Sequence, residues 1–144
     1  MQKTEKNGFG REIVAFRGFM LTDKEIYTNK DFVGITVSGE VDPSRAITIA
    51  KRYVNLAYQY PHHNILVDLR DIKASIDIIS LMEVTQEAVD RFPDFRNKVA
   101  HLIYDESERV LIAKQLESCM VLKGVNYKVF TDFKVATVWL SKAS

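Results

Sequence analysis

Four short runs of β-branched and aliphatic residues, each followed by a stretch with helical spacing, leave this chain few folds to choose from. The sharpest run is Asn64-Ile65-Leu66-Val67-Asp68-Leu69. A nearly continuous apolar run of this length suits a strand buried on both faces of a parallel sheet. Phe32–Gly39, Val99–Tyr104 and Tyr127–Phe130 read as strands on the same grounds. Between them, Asp42-Pro43 marks a helix start, an N-cap followed by proline at the first helical position. Ile47, Ala50, Val54 and Ala57 repeat at helical spacing as far as Pro61. A second helix is expected from Ser75 or Asp77 to Phe92. A third is capped by Ser107 and ends at Gly124, and a fourth is capped by Asp132. The order from Phe32 onward is β-α-β-α-β-α-β-α. It predicts an α/β fold with a mixed, mostly parallel β-sheet flanked by helices. Ahead of it, Ile13 to Leu21 reads as an antiparallel edge strand and Lys24–Thr28 as a second short strand. Residues 1–10 read as a frayed lead, and residues 11–144 as a single domain.

Composition narrows the functional classes. A chain of 144 residues, 47% hydrophobic and 27% charged, suits one globular core. Its net charge of +1 supplies no field to gather nucleic acid. The single cysteine, Cys119, allows no internal disulfide and fits a reducing compartment. The first ten residues lack the apolar stretch of a signal peptide, and no run is long enough to span a bilayer. The expected location is cytoplasmic.

Several of these segments resemble, in order, those of the SpoIIAA-like proteins, which carry a STAS-type fold. Phe32-Val33-Gly34-Ile35-Thr36-Val37-Ser38-Gly39 resembles their opening strand. Ile65-Leu66-Val67-Asp68-Leu69-Arg70-Asp71 resembles their "LLVDLRD" strand. Lys98-Val99-Ala100 resembles a third strand start. Phe130-Thr131-Asp132-Phe133, with Ala136 and Trp139-Leu140, resembles the closing element. The resemblance spans about Phe32 to Leu140. It implies a fold related to CRAL-TRIO lipid-transfer domains and no defined activity. Anti-sigma-factor antagonists of this type carry a phosphorylated serine in an Asp-Ser-Ser-Gly turn. Here the stretch reads Lys73-Ala74-Ser75-Ile76-Asp77-Ile78-Ile79-Ser80, so that switch does not carry over to Ser75 or Ser80.

The candidate chemistry is sparse. Ligands of open α/β sheets bind beyond the carboxyl ends of the strands. Those ends hold Glu40, Asp42, Asp68, Arg70, Asp71, Asp105, Glu106 and Asp132. The carboxylates could form a rim for Mg²⁺, or they could cap helices and complement their dipoles. His62 and His63 are adjacent and point apart on an extended segment, which disfavours one shared metal ion. His101 reads either as a general base beside Asp68 or Asp105, or as a hydrogen-bonded core histidine. Cys119 shares a helical stripe with Leu116 and Met120, which suits packing. There is no Walker loop, Rossmann fingerprint or G-x-S-x-G elbow. No cofactor, metal site or catalytic residue is expected.

One segment stands out. Ile76, Ile78, Ile79, Leu81 and Met82 crowd more apolar side chains into seven residues than one face of a surface helix needs. Either this segment lies in the core or part of it covers a ligand or partner. The leading expectation is a non-enzymatic binding or regulatory module working through protein contacts, with an unknown protein or a second copy as partner. Ile76, Ile79 and Met82, with Asp68 and Arg70, are its candidate surface. The alternative is a domain for a small apolar ligand or lipid, and a third reading is a metal-assisted hydrolase using the acidic rim. No nucleic acid partner and no membrane-integral state are expected.

Overall fold

The computed structural model describes residues 2–6, 11–16, 19–28, 30–74, 78–91 and 96–142. Its strands are β1 (Gln2–Lys6), β2 (Arg11–Phe16), β3 (Phe19–Thr28), β4 (Phe32–Val41), β5 (Asn64–Ala74), β6 (Val99–Leu102) and β7 (Tyr127–Phe130). Its helices are α1 (Pro43–Gln59), α2 (Ile78–Arg91), α3 (Ser107–Leu122) and α4 (Phe133–Ser141). All seven strands form one sheet in the order β1-β2-β3-β4-β5-β6-β7. The pairs from β1 to β4 are antiparallel and those from β4 to β7 are parallel. The mixed α/β sheet predicted from the sequence is therefore the observed one.

The strands before Phe32 differ from expectation. The sequence places Ile13–Leu21 at the edge, whereas β2 lies between β1 and β3. Gln2–Lys6, within the stretch read as a lead, is strand β1. Its sequence Gln-Lys-Thr-Glu-Lys is what an outermost strand tolerates, because charge discourages further pairing.

Strand order explains where the helices go. Each parallel strand lies beside its predecessor, so right-handed crossovers deliver α1, α2 and α3 to one face. The core on that face joins Val33, Ile35, Val37, Ile65, Val67, Val99 and Val129 to Ile49 and Leu56 of α1 and Leu116 and Met120 of α3. α4 follows the last strand and covers the opposite face, where Ala136 and Leu140 pack on Phe32, Leu66, Ala100, Leu102 and Phe130. Because strand order never reverses among the parallel strands, the sheet lacks the switch-point crevice in which doubly wound folds bind ligands.

The expected helix ends are largely observed. Asp42 caps α1 through Arg45 N–H at 2.8 Å, and Asp132 caps α4 through Val135 N–H at 3.0 Å. Gly124, past α3, adopts φ +86°, a left-handed conformation that favours glycine. Ser107 proves to be the first residue of α3, and Glu106 is its N-cap without a side-chain cap bond.

Trp139 is half-buried. Its ring lies 5.5 Å from Phe130, and the Lys98 ammonium stands 5.2 Å above it. Trp139→Ala is accordingly expected to cost about 2 kcal/mol in denaturant melts, below the ~3–5 kcal/mol typical of a fully buried aromatic.

Candidate functional site

The residues singled out in the sequence do not form one constellation. Asp68 follows Leu66 at two-residue spacing on β5 and so faces α4, with 6% of its surface exposed. Arg70 grips it in a bidentate ion pair, Nε to Oδ1 at 3.0 Å and Nη2 to Oδ2 at 2.8 Å. The Arg70 backbone N–H adds a third bond to Oδ1 at 3.1 Å. The guanidinium also lies 5.8 Å from the centroid of Phe133, the first residue of α4. Asp68 is thus engaged in a structural pair that ties the middle of β5 to α4. A local irregularity accommodates this. Between the pairs Thr36–Asp68 and Ser38–Asp71, β5 carries one residue more than β4.

Ile79 and Met82 lie across the sheet, on the side of α1 and α3, against which α2 packs. They are 68% and 43% exposed. With Glu83, Gln86 and Asp90 they form one outward stripe along α2, apolar in its first turn and polar below. Ile76 lies outside the described residues.

Three of the other carboxylates near the strand ends have ordinary roles. Asp42 and Asp132 are caps, and Glu106 lies 3.7 Å from Arg109. Arg45 joins β4 to α1, donating to the carbonyls of Ser38 and Glu40. Arg109 of α3 donates to the Ile72 carbonyl at 2.9 Å, where β5 extends beyond β6. Among the described residues, no three His, Cys, Asp or Glu side chains gather as a metal site would require. His62 is exposed, and half-buried His63 stacks edge-on to Tyr60 at 5.5 Å. Cys119 is half-buried on α3 between the buried Leu116 and Met120.

His101 belongs with Val99 to the face covered by α1, α2 and α3. Its Nδ1 pairs with the Tyr127 hydroxyl at 2.7 Å, and the two rings meet edge to face. Burial lowers its pKa from 6.5 to about 4, so the ring is neutral at physiological pH. Asp68 faces the other side of the sheet, so the pairing of His101 with Asp68 considered from sequence does not occur.

Two polar anchors escaped the sequence reading. Lys98, 5% exposed, donates its ammonium to the carbonyls of Trp139 at 2.8 Å and Lys142 at 2.7 Å. Asn64 gives its side-chain amide to Leu140 O at 2.6 Å and accepts Lys98 N–H at 2.9 Å. Together they close the carboxyl end of α4. A surface pocket of about 250 Å³ on α1 is lined by Lys51, Val54, Asn55 and Tyr58.

A parallel sheet of consecutive strands, with three crossover helices on one face and a terminal helix on the other, defines a SpoIIAA-like α/β fold. Structural comparison agrees. The chain is similar to an uncharacterized protein of the DUF3478 family with a SpoIIAA-like fold from Shewanella loihica PV-4, with a TM-score of 0.55 and 13% sequence identity over 81% of this chain and 91% of that one. At that identity the likeness establishes the fold alone. No protein-family model matches the sequence, and no curated protein matches it significantly. Among the described residues, no helix is long and apolar enough to cross a membrane.

Proposed function

We propose that this domain is a non-enzymatic binding module that works through protein contacts, and that the first turns of α2 are its contact surface. The observation that carries this reading is the exposure of Ile79 and Met82 side by side on one helical face. Exposed apolar side chains that adjoin one another gain free energy when a partner covers them, and methionine adapts to varied partner shapes. Asp68 and Arg70, paired on the other face, support the fold and are not part of this surface.

The test is a pair of charge substitutions, Ile79→Glu and Met82→Lys, followed by sedimentation and chemical cross-linking with the wild type as reference. Because both side chains are exposed, each variant is expected to melt within about 0.5 kcal/mol of the wild type. The wild type is expected to self-associate or cross-link to a partner, and both variants are expected to lose that association. A variant that keeps the wild-type associations while folded would refute the surface. A variant that unfolds would place the segment in the core.

A further inference from the structure

β7 forms an outer edge of the sheet, at the opposite side from β1. Asn126, just before the strand, and Phe130 turn their carbonyls toward β6, accepting from Val99 N–H at 2.8 Å and Ile103 N–H at 2.9 Å. Backbone direction alternates along a strand, so Tyr127 and Val129 direct their N–H and C=O groups away from β6. An edge of this kind is a template on which another chain can add a strand. Here a side chain already occupies it. Val129 N–H donates to Glu117 Oε2 at 2.7 Å. Glu117 comes from α3, which packs against β7, and its carboxylate is 22% exposed, with Lys114 Nζ at 3.4 Å from Oε1. The bond to Val129 is charge-assisted and partly shielded from water, so it competes well with an incoming carbonyl.

We infer that Glu117 holds the β7 edge closed against antiparallel pairing with β7 of a second copy of this chain. β7 is four residues long, and Lys128 at its centre is exposed; both features also discourage pairing. Glu117 takes up one of the outward donors that a partner strand would need. The surface concerned is separate from the α2 face, so the two readings stand or fall independently.

Sedimentation velocity over a concentration series tests this inference with Glu117→Ala and Glu117→Gln. Glu117→Ala frees the Val129 donor and is expected to associate one step beyond the wild type, at concentrations at least about tenfold lower, as one charge-assisted hydrogen bond allows. Glu117→Gln retains an oxygen that accepts Val129 N–H and is expected to match the wild type. Adding Val129→Pro to Glu117→Ala removes the N–H and is expected to reverse the association. A folded Glu117→Ala that sediments as the wild type does at every concentration overturns the inference. Association that persists in the folded proline double variant overturns it too, since it then runs through another surface. If Glu117→Ala does not fold, Glu117→Asp, one methylene too short to reach the strand, carries the same expectation and the same refutation.

Discussion

Lys98→Met is expected to destabilise the domain by about 2–3 kcal/mol, with Asn64→Ala following at about 1 kcal/mol. The Lys98 ammonium is buried and donates to two carbonyls at the carboxyl end of α4, where the helix dipole favours a cation. Methionine preserves most of the side-chain volume, so the loss reads the capping and not a cavity. The net cost is smaller than two charged hydrogen bonds in isolation, because the variant no longer desolvates an ammonium. α4 covers a face of the sheet through Ala136 and Leu140, and a loosened last turn exposes that contact as well. Urea melts of the wild type, both single variants and the double variant measure it. Asn64 accepts Lys98 N–H, so the two losses are expected to be non-additive. A Lys98→Met loss below about 0.5 kcal/mol would show that water satisfies the Trp139 and Lys142 carbonyls unaided.

The parallel half of the fold was legible because burial on both faces leaves a strong mark. Ile65, Leu66 and Val67 are all at most 1% exposed, and only a strand sandwiched between two layers needs consecutive apolar residues. The caps at Asp42 and Asp132 were legible because they depend on local sequence alone. The anchors were not, because they join residues distant in sequence. Lys98 and Trp139 are 41 positions apart, and nothing in the residues around a lone lysine announces that it will bridge two helix-end carbonyls. The antiparallel strands lack the continuous apolar character of β5, and Ile13–Leu21, which reads as one run, takes in the end of β2 and the start of β3.

The candidate surface was legible only in part. An excess of apolar residues between Ile76 and Met82 marks a segment with more to bury than one helix face provides, but spacing alone leaves core and surface open. Structure separates them for Ile79 and Met82, which are exposed. Asp68 and Arg70 stand out in the sequence because they fall at the apparent carboxyl end of a parallel strand, where ligands of open α/β sheets bind, although β5 continues to Ala74. Their bidentate contact shows that Arg70 lets a carboxylate be buried within β5. Glu117 was overlooked because a glutamate in a helix reads as a solvated residue unless the strand beside it is known.

The pH dependence of stability is expected to carry the signature of His101. Burial holds its folded-state pKa at about 4, against 6.5 for the unreacted side chain in the unfolded chain. Between these values the unfolded chain binds a proton at His101 that the folded chain does not. Stability therefore falls as pH drops from about 6.5 toward 4, and below 4 both states are protonated and the contribution is gone. The whole difference is at most about 3 kcal/mol. Carboxylates titrate in the lower part of the same window, so the wild type alone does not isolate the histidine. His101→Gln does, because glutamine has no proton to gain there and its side-chain amide, donor and acceptor both, can still pair with the Tyr127 hydroxyl as Nδ1 does in the wild type. Denaturant melts at half-unit intervals from pH 7.5 to 4 are expected to give a shallower slope for the variant, the wild-type curve dropping relative to it toward pH 4. Parallel curves across the whole range would mean that the ring protonates in the folded state as readily as in water. The β6–β7 face would then be open to solvent at His101.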